Sequence, residues 1–111
     1  MRKESLSTLV DDQLDAAKAS SSGRSAHTVY GGHEHKLRQT LIAIRAGRAL
    51  DEHGSPGEAT LHVLYGRVAL IAGNDRSEGA PGDLIAIPNT RHSLDALEDS
   101  VVLLTVDKAT A

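Results

Sequence analysis

The sequence predicts an all-β sandwich or barrel preceded by one short helix, on three observations. From Ala26 onward the apolar residues recur with a period of two, or in short runs broken by Gly, Asn, Asp and Pro. Eight such segments follow at close spacing with no helical stretch among them, the pattern of sandwiches and barrels. Upstream the period is 3.6 instead, with Leu6, Leu9, Val10 and Leu14 on one face of a helix.

Taken in order, residues 1–20 read as a short amphipathic helix, with Thr8 and Asp11 placed for a reciprocal cap. So short a helix is unstable alone, so it is expected to dock on the barrel or on a partner subunit. "ASSSGRS" (19–25) has linker composition, which divides the chain into a helix and linker (1–25) and a barrel (26–111). Strands are expected at 26–30, 37–45, 48–53, 59–64, 66–72, 83–87, 92–97 and 100–106. The intervening stretches, including "AGNDRSEGAPG", read as turns; Gly73-Asn74-Asp75 is a turn signal and Pro81-Gly82-Asp83 sets up the next strand.

At 111 residues the chain is expected to form one domain. It has no Phe, Trp or Cys, and its only aromatics are Tyr30 and Tyr65, so Leu, Ile, Val and Ala must build the core. Strands such as "ATLHVL" and "SVVLLTV" show little polar alternation, so both their faces need cover. A homodimer is therefore expected. Without cysteine there is no disulfide, thiolate zinc site or cysteine nucleophile, and any metal must be held by His, Asp, Glu or water. A net charge of −3 without basic clusters argues against nucleic acid, and Arg38, Arg45 and Arg48 read as a solvated strand face. The N-terminus carries acids where a signal peptide needs an apolar run, and no segment approaches ~18 apolar residues, so no membrane partner and a cytoplasmic location are expected.

Two glycine-framed motifs carry a family resemblance. The first is Gly47, five residues, His53-Gly54-Ser55, then Ala59, six residues and Gly66; the second is Gly82, five residues, Pro88, a short turn and His92. This frame resembles that of small single-domain cupins, over about residues 28–106. The resemblance implies a double-stranded β-helix (jelly-roll) barrel, with Asp83 capping backbone N–H groups in its "GD" turn. It also implies an interior site in which two histidines of an H-x-H pair, a glutamate and a late histidine hold a divalent metal (Fe, Mn, Ni, Zn or Cu).

Two of those four positions are changed. Ser55 replaces the second histidine and Ala59 the glutamate, leaving His53 and His92 as the transferable metal ligands. Two imidazoles fall short of the three protein ligands usual in a catalytic centre. Glu58 and His62 are the neighbours that could stand in, yet alternation from Ala59 turns both to the opposite face. Gln39, a polar residue among apolar ones on its strand, is a candidate pocket residue or a solvent-facing one. His33-Glu34-His35 repeats the H-x-H spacing but falls in a Gly-Gly turn and reads as a solvated loop.

Three functions stay open. One is a small-molecule-binding barrel lined by His53, Ser55, Ala59, His92 and Gln39, its metal site degenerate. The second is a metal-dependent enzyme of oxygenase or isomerase type, using His53 and His92 with water or Glu58. The third is a dimeric structural protein with no functional pocket. Whether the chain is an enzyme, and on what it acts, is not legible in the sequence.

Overall fold

The computed structural model describes residues 1–53 and 57–107, with Glu52 and His53 described by their backbone. Among the described residues, one helix, α1 (Leu6–Ala19), precedes nine strands: β1 (Arg24–Tyr30), β2 (Leu37–Ile44), β3 (Ala49–His53), β4 (Glu58–Tyr65), β5 (Val68–Ala72), β6 (Asp75–Gly79), β7 (Leu84–Ala86), β8 (His92–Ala96) and β9 (Ser100–Asp107). They form a five-stranded sheet in the order β1-β2-β9-β4-β7 and a four-stranded sheet in the order β3-β8-β5-β6. Every pairing is antiparallel.

The two sheets close on an aliphatic interior. Ile44, Leu61, Val63 and Val102 of the larger sheet meet Val68, Leu70, Leu94 and Ala96 of the smaller one. Register fixes which residues face in: Ile42 opposes Val102, Val63 opposes Val102 from the other side, and Leu70 opposes Leu94. A fully buried Leu or Val contributes about 1.5 to 3 kcal/mol, so this cluster dominates the stability of the barrel.

The outer face of the larger sheet has its own cover. Leu14 and Ala17 of α1 pack on Leu41, Ala43 and Val101, with Leu6, Leu9, Val10, Val29 and Leu64 around them. The continuous apolar runs of β2 and β9 thus reflect burial on both faces, one of them under the chain's own helix. Ser25 of β1 donates a hydrogen bond to Gln13 of α1, and Lys18 reaches Asp99 at 3.7 Å, tying both ends of the contact. The helix begins later than the sequence suggested. Ser5 is its N-cap, its hydroxyl accepting from the Thr8 amide at 3.3 Å, so Asp11 plays no part in the cap.

The polar stretch read as a turn contains a strand. Asp75–Gly79 pairs with β5 as the edge of the smaller sheet, through a two-residue turn at Gly73-Asn74. Gly73 has φ +59°, the conformation a type II′ hairpin needs at its first central residue. An edge strand open to water on its outer side tolerates charge. Arg67 and Arg76 both pair with Glu78, at 2.9 and 3.3 Å.

Gly66 locks the β4–β5 turn onto the β8–β9 turn. A Cβ at this position, with φ +81°, would lie 2.2 Å from the Asp99 carbonyl oxygen and 2.4 Å from Ser100 Oγ. Ser100 is wholly buried; its hydroxyl accepts from the Arg67 amide at 3.1 Å and lies 2.9 and 2.7 Å from the carbonyls of Arg67 and Glu98. Asp99 accepts from the Ala46 amide at 2.8 Å, and Asp83 accepts from the Ala80 amide at 2.8 Å as its turn role requires.

Candidate functional site

The interior is not completely filled. A cavity of about 270 Å³ remains at one end of the barrel, walled by Ile42, Leu50, Leu61, Leu70, Leu94 and Leu104 together with Ile87, Asp51 and His92. Its walls come from both sheets, and its polar groups stand on β3 and β8. The alternating inward positions that build the core also define this space, as in other small barrels.

Among the described residues lining the cavity, His92 is the buried polar one, only 3% exposed. The preceding strand β7 ends at Ala86, two residues before Pro88, which has no N–H to donate, and the Thr90 amide folds back onto the Pro88 carbonyl at 2.8 Å. That tight turn places the Thr90 carbonyl 2.8 Å from His92 Nδ1. A carbonyl only accepts, so Nδ1 carries the hydrogen, and in the neutral ring Nε2 is the basic nitrogen. This turn therefore fixes both the position and the tautomer of the histidine.

The backbone of His53 stands directly opposite His92. Leu50 opposes Leu94, so a regular ladder would put Glu52 opposite His92. A β-bulge between Leu50 and His53 adds one residue to β3 and brings His53 into that register instead. Bulges commonly re-aim residues at functional sites. The same bulge accounts for Asp51 on the cavity wall, since simple alternation from inward-facing Leu50 would turn it away. No sequence signal pointed to Asp51, because nothing in "ALDEH" announces a bulge.

The other expected site residues are distributed differently. Ala59 opposes Val106 on the inward face, where it offers no donor, while Ser55 lies outside the described residues. Gln39 does not line the cavity. It sits on the outer face opposite Thr105, donates to the Thr105 hydroxyl at 3.2 Å, and borders a surface groove with Arg2, Leu6, Val29 and Tyr30. Its position one step from inward-facing Thr40 sets that face. Glu58 and His62 oppose Asp107 and Leu103 on the outward face, so neither turns toward the cavity. His33 is exposed, and His35 packs edge-on against Tyr30 with ring centroids 5.1 Å apart.

This donor set does not fit the metal centre that the resemblance implies. Among the described residues no three His, Asp or Glu side chains come together as a metal-holding group, and the carboxylate position is an alanine. Also among the described residues, no helix is long and apolar enough to cross a membrane.

No protein-family model and no curated protein matches the chain. Solved structures do. A conserved protein of unknown function from Streptococcus pyogenes superposes with a TM-score of 0.72 at 26% identity, over 83% of this chain and 80% of that one. A cupin superfamily protein from Desulfitobacterium hafniense gives 0.69 at 13% identity, over 75% of each chain. The salicylate 1,2-dioxygenase of Pseudoaminobacter salicylatoxidans gives 0.77 at 18% identity, over 90% of this chain but 32% of the enzyme. At such identities the likeness carries the fold and no activity.

Proposed function

Taking as premise that the chain has the cupin fold, we propose that it binds a small molecule inside its barrel, with His92 and His53 as the polar pair and a degenerate metal site. The observation that supports this reading most directly is the aliphatic cavity with one buried, tautomer-fixed imidazole in its wall. Binding sites combine apolar walls with few orienting polar groups in this way. An apolar cavity of ~150 Å³ suffices for benzene, so about 270 Å³ suits a benzene-sized body with a short polar head.

The reading is tested by titrating the protein with benzyl alcohol, followed by the methyl resonances of Leu61, Leu94 and Leu104. Saturable shifts in the native chain, reduced at least tenfold in affinity by Leu104→Trp with its melting transition retained, are the expected result. No saturable shift with benzyl alcohol, cyclohexanol or phenol would leave the barrel without a binding role.

A second copy of the chain is part of the same proposal. Leu84 is 67% exposed on the outer side of β7, and Tyr65 is 49% exposed on β4; this part of the larger sheet lies beyond the residues that α1 covers. A homodimer burying it is the state we expect.

A further inference from the structure

We infer that the binding cavity continues past Leu70 into the seam between β6 and β7, and that its ligand is an elongated, single-headed amphiphile: a polar head, a ring-sized body and an alkyl tail. The inference rests on the cavity reading and adds the ligand's length and direction to it.

The seam is where the two sheets part. β7 ends the larger sheet and β6 the smaller one, and no ladder joins them among the described residues. A groove of about 270 Å³ lies here, its apolar floor made by Leu70, Ala72, Ile85, Ala86 and Pro88, while β6 supplies the polar side. Leu70 lines this groove and the cavity alike. Ile87 faces the cavity, and Ile85, two residues earlier, lines the groove; both pack on the aliphatic core. Two residues of extended chain cover about 7 Å, so the two spaces are neighbours with the Leu70 side chain between them. Leu70 is 5% exposed, and a change of its rotamer, with no movement of the backbone, is enough to join them. Leu70 is the gate.

Strand order gives the direction. β3, β8, β5 and β6 lie side by side in that order. His53 and His92 stand on the first two, Leu70 on the third, and Ser77, directly opposite Leu70, on the fourth. Neighbouring strands are about 4.8 Å apart, so β8 and β6 are separated by about 10 Å. A benzene-sized body fills the near part of that span. A chain leaving the body on the side away from the head crosses Leu70 and lies on the apolar floor of the groove. Arg76, the cation on the polar side, is already held by Glu78 at 3.3 Å, so the groove favours an uncharged tail.

The test is isothermal titration with benzyl alcohol, 4-butylbenzyl alcohol and 2-butylbenzyl alcohol, on the native chain, Ala72→Trp and Ser77→Phe. A fully buried methylene is worth roughly fourfold in affinity, so four of them on a floor open on one side should give 4-butylbenzyl alcohol a gain of at least about tenfold over benzyl alcohol. The 2-butyl isomer is equally apolar but carries its chain beside the head, and its gain should stay below about threefold. Ala72→Trp fills the floor of the groove and Ser77→Phe its side. Either should remove the gain of the 4-butyl compound while leaving benzyl alcohol affinity unchanged, and each serves if the other does not fold. Equal gains for the two isomers, or a gain that survives the folded variants, would overturn the inference while the cavity reading stood. If none of the three alcohols binds, the cavity reading falls and takes the inference with it.

Discussion

Gly66→Ala, set beside Gly47→Ala, measures how firmly the β4–β5 and β8–β9 turns are interlocked. The two glycines share almost the same backbone, φ +81° and +83°, but differ in surroundings. A Cβ at Gly47 meets nothing within 4 Å, whereas one at Gly66 falls 2.2 Å from the Asp99 carbonyl oxygen and 2.8 Å from Ser100 Cα. Each alanine carries the left-handed penalty of roughly 1 to 2 kcal/mol. Gly66→Ala adds an overpacking cost of about 1 to 3 kcal/mol. Displacing the Ser100 hydroxyl from its buried partners adds about 1 kcal/mol more. The difference between the variants should therefore be about 2 to 4 kcal/mol, a large part of the ~5 to 15 kcal/mol that holds a domain together. Urea unfolding followed by far-ultraviolet circular dichroism reads it directly, with the slope checked for constancy. In a thermal melt, about 1 kcal/mol corresponds to roughly 4 °C in a domain of this size, so the two midpoints should separate by more than 8 °C. Equal losses in the two variants would refute the interlock, because backbone conformation alone would then account for both.

Four more outcomes follow from the same geometry. Leu14→Ala should cost about 2 to 5 kcal/mol in urea unfolding, since Leu14 is buried between α1 and Leu41, and a loss below ~1 kcal/mol would mean that the helix is not docked. Ser5→Ala should cost about 1 kcal/mol through loss of the N-cap, while Asp11→Ala should be near neutral; the reverse order would restore the cap predicted from the sequence. Dialysis against zinc, manganese, nickel or ferrous iron at micromolar concentration should leave less than one ion per chain by elemental analysis. Stoichiometric metal lost in both His53→Ala and His92→Ala would instead support a metal-dependent enzyme. Light scattering should give twice the mass of the 111-residue chain, falling to one with Leu84→Glu; a native monomer would contradict the dimer proposal.

Much of the barrel was legible because its strands alternate or run apolar and its turns carry glycine and proline where the chain reverses. Gly66, Pro88 and His92 stand in the structure where the motif frame put them, because each is tied to a local backbone requirement. What escaped notice depends on neighbours. The edge strand Asp75–Gly79 has no buried face to impose a period, so only its pairing with β5 reveals it. The scant polar alternation of "ATLHVL" and "SVVLLTV" pointed to cover expected from a second copy, whereas the packing of the chain's own helix on β2 and β9 is a tertiary fact. The site was the least legible part. Gln39 faced outward because strand β2 is in phase with Ile42 and Ile44 inside, a phase the sequence left undecided. Asp51 borders the cavity, though exposed, beside a one-residue bulge that no residue of β3 signals.

The central claim is that the aliphatic space beside His92 is a binding site. Intermolecular nuclear Overhauser effects between benzyl alcohol and the methyl-labelled protein test it most directly. The account predicts contacts from the aromatic ring to Leu61, Leu94 and Leu104, and from the benzylic protons to the His92 imidazole. Contacts confined to Leu6, Val29 and Tyr30 would place the probe in the outer groove and contradict it.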